Sequence, residues 1–272
     1  MKKLSFLAAA LLVAGAANAQ FNTQTLGQTG NTNGATQTQQ GSFSSADGIQ
    51  TGNNNILKQT QASGAFNDMN STQLGNANST IQDQRQGNGN IANSTQIGGG
   101  NASSQFQHAK DGFGATNQRA TIVQVGSFNI GFQDQGGVNN VASITSVGNL
   151  NQASQIQGDN FLGSFNSSAT ITQIGNSNFA SQNQKLDNHV ATIDQVGSSN
   201  NVAIQQQDAF GFFITPGNTA FIDQDNAGSH YARQRQTGSG NLAATYQGTN
   251  NNSSDVTQFG NNNQSLVKQN HP

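Results

Sequence analysis

Gln173-Ile174-Gly175-Asn176-Ser177-Asn178-Phe179-Ala180-Ser181-Gln182-Asn183-Gln184 is the stretch that decides how this chain folds. Its form is Gln-x-Gly-x-x-Asn, five further residues, then Gln. Together with Ala169-Thr170-Ile171-Thr172 before it, the stretch reads as two short strands joined by a tight arc. One strand ends at Gln173, Gly175 to Asn178 make the arc, and Phe179 to Gln184 form the second strand. Gly admits positive φ and close backbone approach, and Asn tolerates the same region.

The pattern recurs, mostly 22 or 23 residues apart. Towards the N terminus the specified places are Gln28, Gly30, Asn33 and Gln39, then Gln50, Gly52, Asn55 and Gln61. Next come Gln73, Gly75, Asn78 and Gln84, followed by Gln96, Gly98, Asn101 and Gln107. The central copies are Gln124, Gly126, Asn129 and Gln135, then Ser146, Gly148, Asn151 and Gln157, where Ser replaces the first Gln. After Gln173 come Gln195, Gly197, Asn200 and Gln206. The last copies are Gln236, Gly238, Asn241 and Gln247, and Gln258, Gly260, Asn263 and Gln269. A unit this short buries no core alone, so copies must stack. The sequence therefore predicts an all-β solenoid of strand-arc-strand rungs, about ten or eleven of them, becoming cross-β on polymerisation.

Strand alternation assigns faces. The opening Gln shares the interior with the residue two before it, which is Ile at 122, 144, 171 and 193, Gln at 234 and Val at 256. In the second strand, Asn, the closing Gln and residues such as Ala153, Ala180 and Val202 point the same way. Buried amides need partners. A Gln above a Gln supplies one, because each side chain both donates and accepts. Immediately after the opening position, Thr29, Thr51, Leu74, Ile97, Val125, Val147, Ile174, Val196, Thr237 and Phe259 form an outward column. Asp83 and Asp134 share a repeat place but are separated by Phe106, so like charges avoid adjacent rungs there. Longer intervals after Gln96 and Ser146 make room for extended arcs. Between 207 and 235 the spacing Phe213, Asn218, Gln224 marks either a degenerate eleventh unit or an irregular loop.

Residues 1–19 read as a secretory signal peptide: Lys2 and Lys3, an apolar run from Leu4 to Ala14, and Ala17-Asn18-Ala19 before the cut. Without Lys2 and Lys3 the chain keeps 8 basic and 12 acidic residues, a formal charge of −4. That balance gives no reason to expect a nucleic-acid partner. Cysteine is absent, which removes thiol catalysis and thiol metal sites. Only 32% of the residues are hydrophobic, a composition that alone predicts disorder. The periodicity argues for stacked Asn and Gln ladders instead, and only 2 Pro leave nearly every backbone donor available.

The repeats resemble the curlin family, the exported subunits of bacterial curli fibres. The likeness is carried by motifs such as Gln73-x-Gly75-x-x-Asn78-x5-Gln84 and Gln195-x-Gly197-x-x-Asn200-x5-Gln206, and it spans Gln28 to Gln269. This chain differs in having about twice the usual number of repeats, three irregular intervals and Ser146. The resemblance implies an extracellular functional amyloid serving biofilm matrix, adhesion and cell aggregation. It also implies self-association as a homopolymer, a nucleator, an outer-membrane secretion pore and periplasmic assembly-control proteins. In that organisation residues 20–27 are a short N-terminal segment for secretion targeting, and residues 28–272 form the solenoid. A major subunit is favoured over a minor nucleator because repeats continue almost to the C terminus.

Enzymatic activity, cofactors and bound metals are not expected. His108, His189, His230 and His271 share no repeat place in the motif, and Glu is absent. The competing reading is a monomeric β-solenoid that binds ice or carbohydrate. Local Thr pairs such as Thr170 and Thr172 do not extend into one clean row.

Overall fold

The computed structural model describes residues 21–109, 115–158, 163–209, 216–226, 228–249 and 251–271. The expected signal segment, Phe161, Phe210, Phe212 and Phe213 lie outside them. The described chain winds as a parallel β-solenoid in which each rung gives one strand to each of two facing sheets. Sheet I has eleven strands, from Thr23–Thr29 to Gln264–Gln269, and sheet II has ten principal strands, from Gly34–Ser42 to Ser253–Phe259.

Identical repeat positions lie directly above one another. Ile122, Ile144, Ile171, Ile193 and Ile222 form one inward row on sheet I. They are fully buried against Ala153, Ala180, Ala203 and Ala232, which sheet II presents. Large side chains from one sheet thus meet small ones from the other, which lets two strands pack closely around a narrow interior. Where Ile is missing, Ala46, Met69 and Ala92 make a second apolar cluster.

The repeat glycine has a steric cause beyond bending. Gly75 has φ of 121°, and a Cβ there would lie 1.9 Å from the Gly98 carbonyl oxygen. Gly52 relates to Gly75, and Gly98 to Gly126, in the same way. In these rungs the glycine therefore makes room for the carbonyl of the rung that follows.

Insertions leave the stack intact. Gln96 pairs with Gln124, and Ser146 with Gln173, across the two longer intervals. Beside these arcs, the short strands Gly87–Asn88, Ala115–Thr116 and Ser164–Phe165 pair with one another or with Gly137 and Val138, forming a small third ribbon.

The irregular stretch changes the phase of the repeat. Gln224 occupies the place between Gln195 and Gln247 in sheet I, so Asn218 and Gln224 do belong to a rung. Gln236 then stacks on Gln207 in sheet II, and Gln258 stacks on Gln236. The motif had placed Gln236 and Gln258 in one opening column with Gln28 to Gln195. They lie in the opposite sheet instead, and Gln247 and Gln269 continue the sheet I column. The two halves of a rung are nearly equal in length, so the interval from Gln195 to Gln236 hides one additional half-rung.

Gly75→Ala is expected to lower stability by at least ~1–2 kcal/mol from the left-handed backbone alone, with the carbonyl clash adding to it. Gly34→Ala, where a Cβ meets nothing within 4 Å, should stay within about 0.5 kcal/mol. Guanidinium denaturation midpoints check the contrast.

Candidate functional site

Three rows of amides, buried except near the ends, run along most of the stack. In sheet II the Nε2 of Gln39, Gln61, Gln84, Gln107, Gln135, Gln157, Gln184, Gln207 and Gln236 each donates to the Oε1 of the next glutamine, ending at Gln258. These distances lie between 2.8 and 3.1 Å. A second row in the same sheet runs from Gln37 through Gln59, Gln82 and Gln105 to Gln234. The third belongs to sheet I, from Gln28 to Gln124 and from Gln173 to Gln269.

Most of these amides also use their other hydrogen across the interior. Gln84 Nε2 donates to Asp68 O at 3.1 Å, and Gln73 Nε2 donates to Ile56 O at 2.9 Å. The ladders therefore join rungs along the axis and sheets across it. Ser146 is the short member of its row. Its hydroxyl donates to Gln173 Oε1 at 3.2 Å, while Gln124 Nε2 donates to Ala102 O.

Asparagines organise the arcs. The backbone N–H of Asn78 donates to Asn55 Oδ1 at 3.0 Å, and Asn78 Nδ2 donates to Gly98 O at 3.0 Å. Asn33, Asn101, Asn129, Asn151 and Asn178 belong to the same chain of contacts. The opposite arc has its own row, which includes Asn67, Asn90, Asn218, Asn241 and Asn263.

At one copy the motif matches the wrong residues. A register shift after Ile174 places Gly175 opposite Ser198, leaving Gly197 as an additional residue in the arc. Asn201, not Asn200, is buried and donates its N–H to Asn178 Oδ1. Gln207, not Gln206, stacks on Gln184, and Ala203 replaces Val202 in the interior. A run of adjacent Asn and Gln residues at 200–201 and 205–207 hid the slip.

Two histidines serve as arc residues, a role missed in the sequence. His189 Nδ1 accepts from the Asn218 N–H at 3.0 Å, and its Nε2 lies 2.7 Å from Lys185 O. His230 Nδ1 likewise accepts from the Asn252 N–H. Each stands six residues before a column Gln, at 195 and 236, and that spacing was the available signal. Accepting at Nδ1 and donating at Nε2 requires the neutral ring. Burial accordingly lowers the His189 pKa to about 4.

The outer face carries one acidic cluster. Asp194 lies directly beneath Asp223, an exception to the charge spacing of Asp83, Phe106 and Asp134. Asp225 is adjacent, and His271 Nε2 lies 3.2 Å from Asp225 Oδ2 and 3.4 Å from Asp223 Oδ2. Burial, then Asp225, pushes the Asp223 carboxyl up to about 6, and His271 opposes the rise. At one N-terminal corner, Phe21, Phe43 and Phe66 stack at 5.2 Å intervals. In the outward column beside the opening Gln, Leu74, Ile97 and Ile174 also stay exposed. Thr237 and Phe259 lie on sheet II, so they do not extend that column.

No protein-family model matches this chain, and no curated protein matches it either. The β-solenoid itself is consistent with a curlin-like repeat architecture.

Gln207→Ala should cost about 1–3 kcal/mol by leaving buried neighbours without partners, whereas Gln206→Ala should stay within about 0.5 kcal/mol. Chemical denaturation distinguishes the two. The pH response has opposed parts. His189 takes up a proton only when unfolded between pH 6.5 and about 4, so its contribution is lost as pH falls through that window. Folded Asp223 keeps a proton up to about 6 that the unfolded chain releases near 3.8, so its contribution is lost as pH rises. His189→Asn should raise stability at pH 4.5 relative to pH 7, and Asp223→Asn should raise it at pH 7 relative to pH 4.5. Denaturation midpoints at both pH values test the signs.

Proposed function

We propose that this chain is the structural subunit of an extracellular, curli-like functional-amyloid fibre that grows by templated end addition. The observation that carries the reading is the continuity of the ladders up to terminal strands. Gln258 and Gln269 end their columns at one end of the described stack, and Gln28 and Gln39 begin them at the other. A parallel strand edge with repeating side-chain columns is a template for another copy of itself.

In this reading an unfolded secreted chain meets an exposed rung and sets its own repeats against it. It then presents an equivalent edge to the next arrival. A net hydrogen bond contributes about 1 kcal/mol, so repetition supplies the register that no single bond supplies. The chain is a building material rather than an enzyme, because the buried glutamines of its ladders are engaged with one another. Biofilm matrix, adhesion and cell aggregation are the roles such a fibre serves. A nucleator, an outer-membrane pore and periplasmic assembly-control proteins are the partners this reading requires. The major-subunit role is preferred because rungs continue to Gln269.

Seeded assembly tests this. Alanine at Gln73, Asn78, Gln96 and Asn101 together should slow growth on wild-type seeds by more than about tenfold. Phe161→Ala should leave growth near the wild-type rate. Equal kinetics for the two variants would contradict templating by the ladders.

A further inference from the structure

Sheet I both begins and ends the described stack, so the rungs close on a half-turn rather than a whole one. The two edges have the same amide pattern. At one end it reads Gln258, Gly260, Asn261, Asn263 and Gln269, and at the other Gln28, Gly30, Asn31, Asn33 and Gln39. The spacings are identical. The first pattern, however, begins on sheet II, and the second begins on sheet I.

From this we infer that successive copies join with a half-turn about the fibre axis, so that sheet I of one copy continues sheet II of the copy before it. The inference rests on the proposed head-to-tail polymerisation. Strand Thr23–Thr29 of the incoming copy seats on Ser253–Phe259, and its strand Gly34–Ser42 seats on Gln264–Gln269.

The two outer Gln rows and both Asn rows have their counterparts at this joint. Gln Nε2 groups donate towards the C-terminal end, so Gln258 and Gln269 meet the Oε1 atoms of the incoming Gln28 and Gln39. Asn backbone N–H groups in the buried row donate the other way, so the incoming Asn33 N–H meets Asn263 Oδ1, as Asn263 N–H meets Asn241 Oδ1. In the exposed arc row, Asn31 N–H donates to Asn53 Oδ1 and Ser239 N–H to Asn261 Oδ1. Asn261 N–H accordingly meets the incoming Asn31 Oδ1. Gly260, whose Cβ position is clear of backbone, receives Gly30. Val256 meets Leu26 in the interior.

The alternative seats Thr23–Thr29 on Gln264–Gln269, sheet on like sheet. Gly30 then falls on His271 instead of a glycine, and the Ser253–Phe259 edge is left without a strand for one rung. Unpaired strand groups shut away from water cost free energy that the half-turn joint avoids. The inner row does not favour the half-turn, since Gln37 there meets Val267 rather than a glutamine.

The chain has no cysteine, so introduced pairs report the joint directly. Gly27 and Thr257 are exposed outward positions that the half-turn stacks, one strand spacing apart and within disulfide reach. The like-sheet joint stacks Gly27 on Lys268. Fibres of Gly27→Cys/Thr257→Cys should give oxidation-dependent covalent ladders on denaturing gels, and Gly27→Cys/Lys268→Cys should not. Ladders from the second pair, or equally from both, overturn the half-turn. Nanogold on Ile97→Cys supplies an independent readout in fibres with an otherwise native edge. Labels should alternate between opposite sides of the fibre at successive subunits, and labels confined to one side overturn the proposal. A wild-type chain that forms no fibres contradicts the polymer reading itself and takes this joint with it.

Discussion

A primary amide buried in a narrow interior has two hydrogens and an acceptor to satisfy, and the rest of this structure depends on that requirement. Gln84 shows the solution. It receives a hydrogen bond from Gln61, gives one to Gln107, and gives another to the Asp68 carbonyl of the facing sheet. The arrangement works only if a glutamine stands above and below, at the same height on the same strand. Exact repetition of residue type is thus a consequence of polar burial. It also fixes register more sharply than an apolar core would, since an aliphatic row tolerates small shifts that a directional ladder does not.

The arcs answer the same requirement in backbone terms. Asparagine side chains cap the N–H groups that turn away from the strands, and glycine clears the space into which the following carbonyl projects. Histidine at 189 and 230 shows that the demand is for an acceptor of suitable reach, not for an amide as such. Serine at 146 shows the reverse case, in which a shorter side chain keeps the bond on one side only. One consequence is a pH sensitivity located in two rungs of an otherwise weakly charged stack.

Much of this was legible in the sequence because the repeat encodes both halves of a rung. The two-strand unit, the inward Ile and Gln rows, the glycine-bearing arcs and the parallel stacking all follow from spacing and alternation. What the motif obscured was which half is which. Its first and second strands both end in Gln and have nearly equal lengths, so an additional half-rung near Gln224 exchanges the sheets without disturbing the motif. The slip at Asn201 and Gln207 has a similar origin: neighbouring residues of the same type satisfy the pattern one place early. The stacking of Asp194 on Asp223 was hidden because Asp223 belongs to the irregular interval, whose register the spacing left open between a degenerate unit and a loop.

Fibre X-ray diffraction, with electron microscopy of the same sample, tests the central claim most directly. Residues 20–272, concentrated until they assemble, should give fibres with a meridional reflection at about 4.7–4.8 Å, because the rungs of each copy continue along the fibre axis. Particles that stay soluble at every concentration and give no such reflection would contradict the account, and would identify the ladders as the interior of a solitary solenoid.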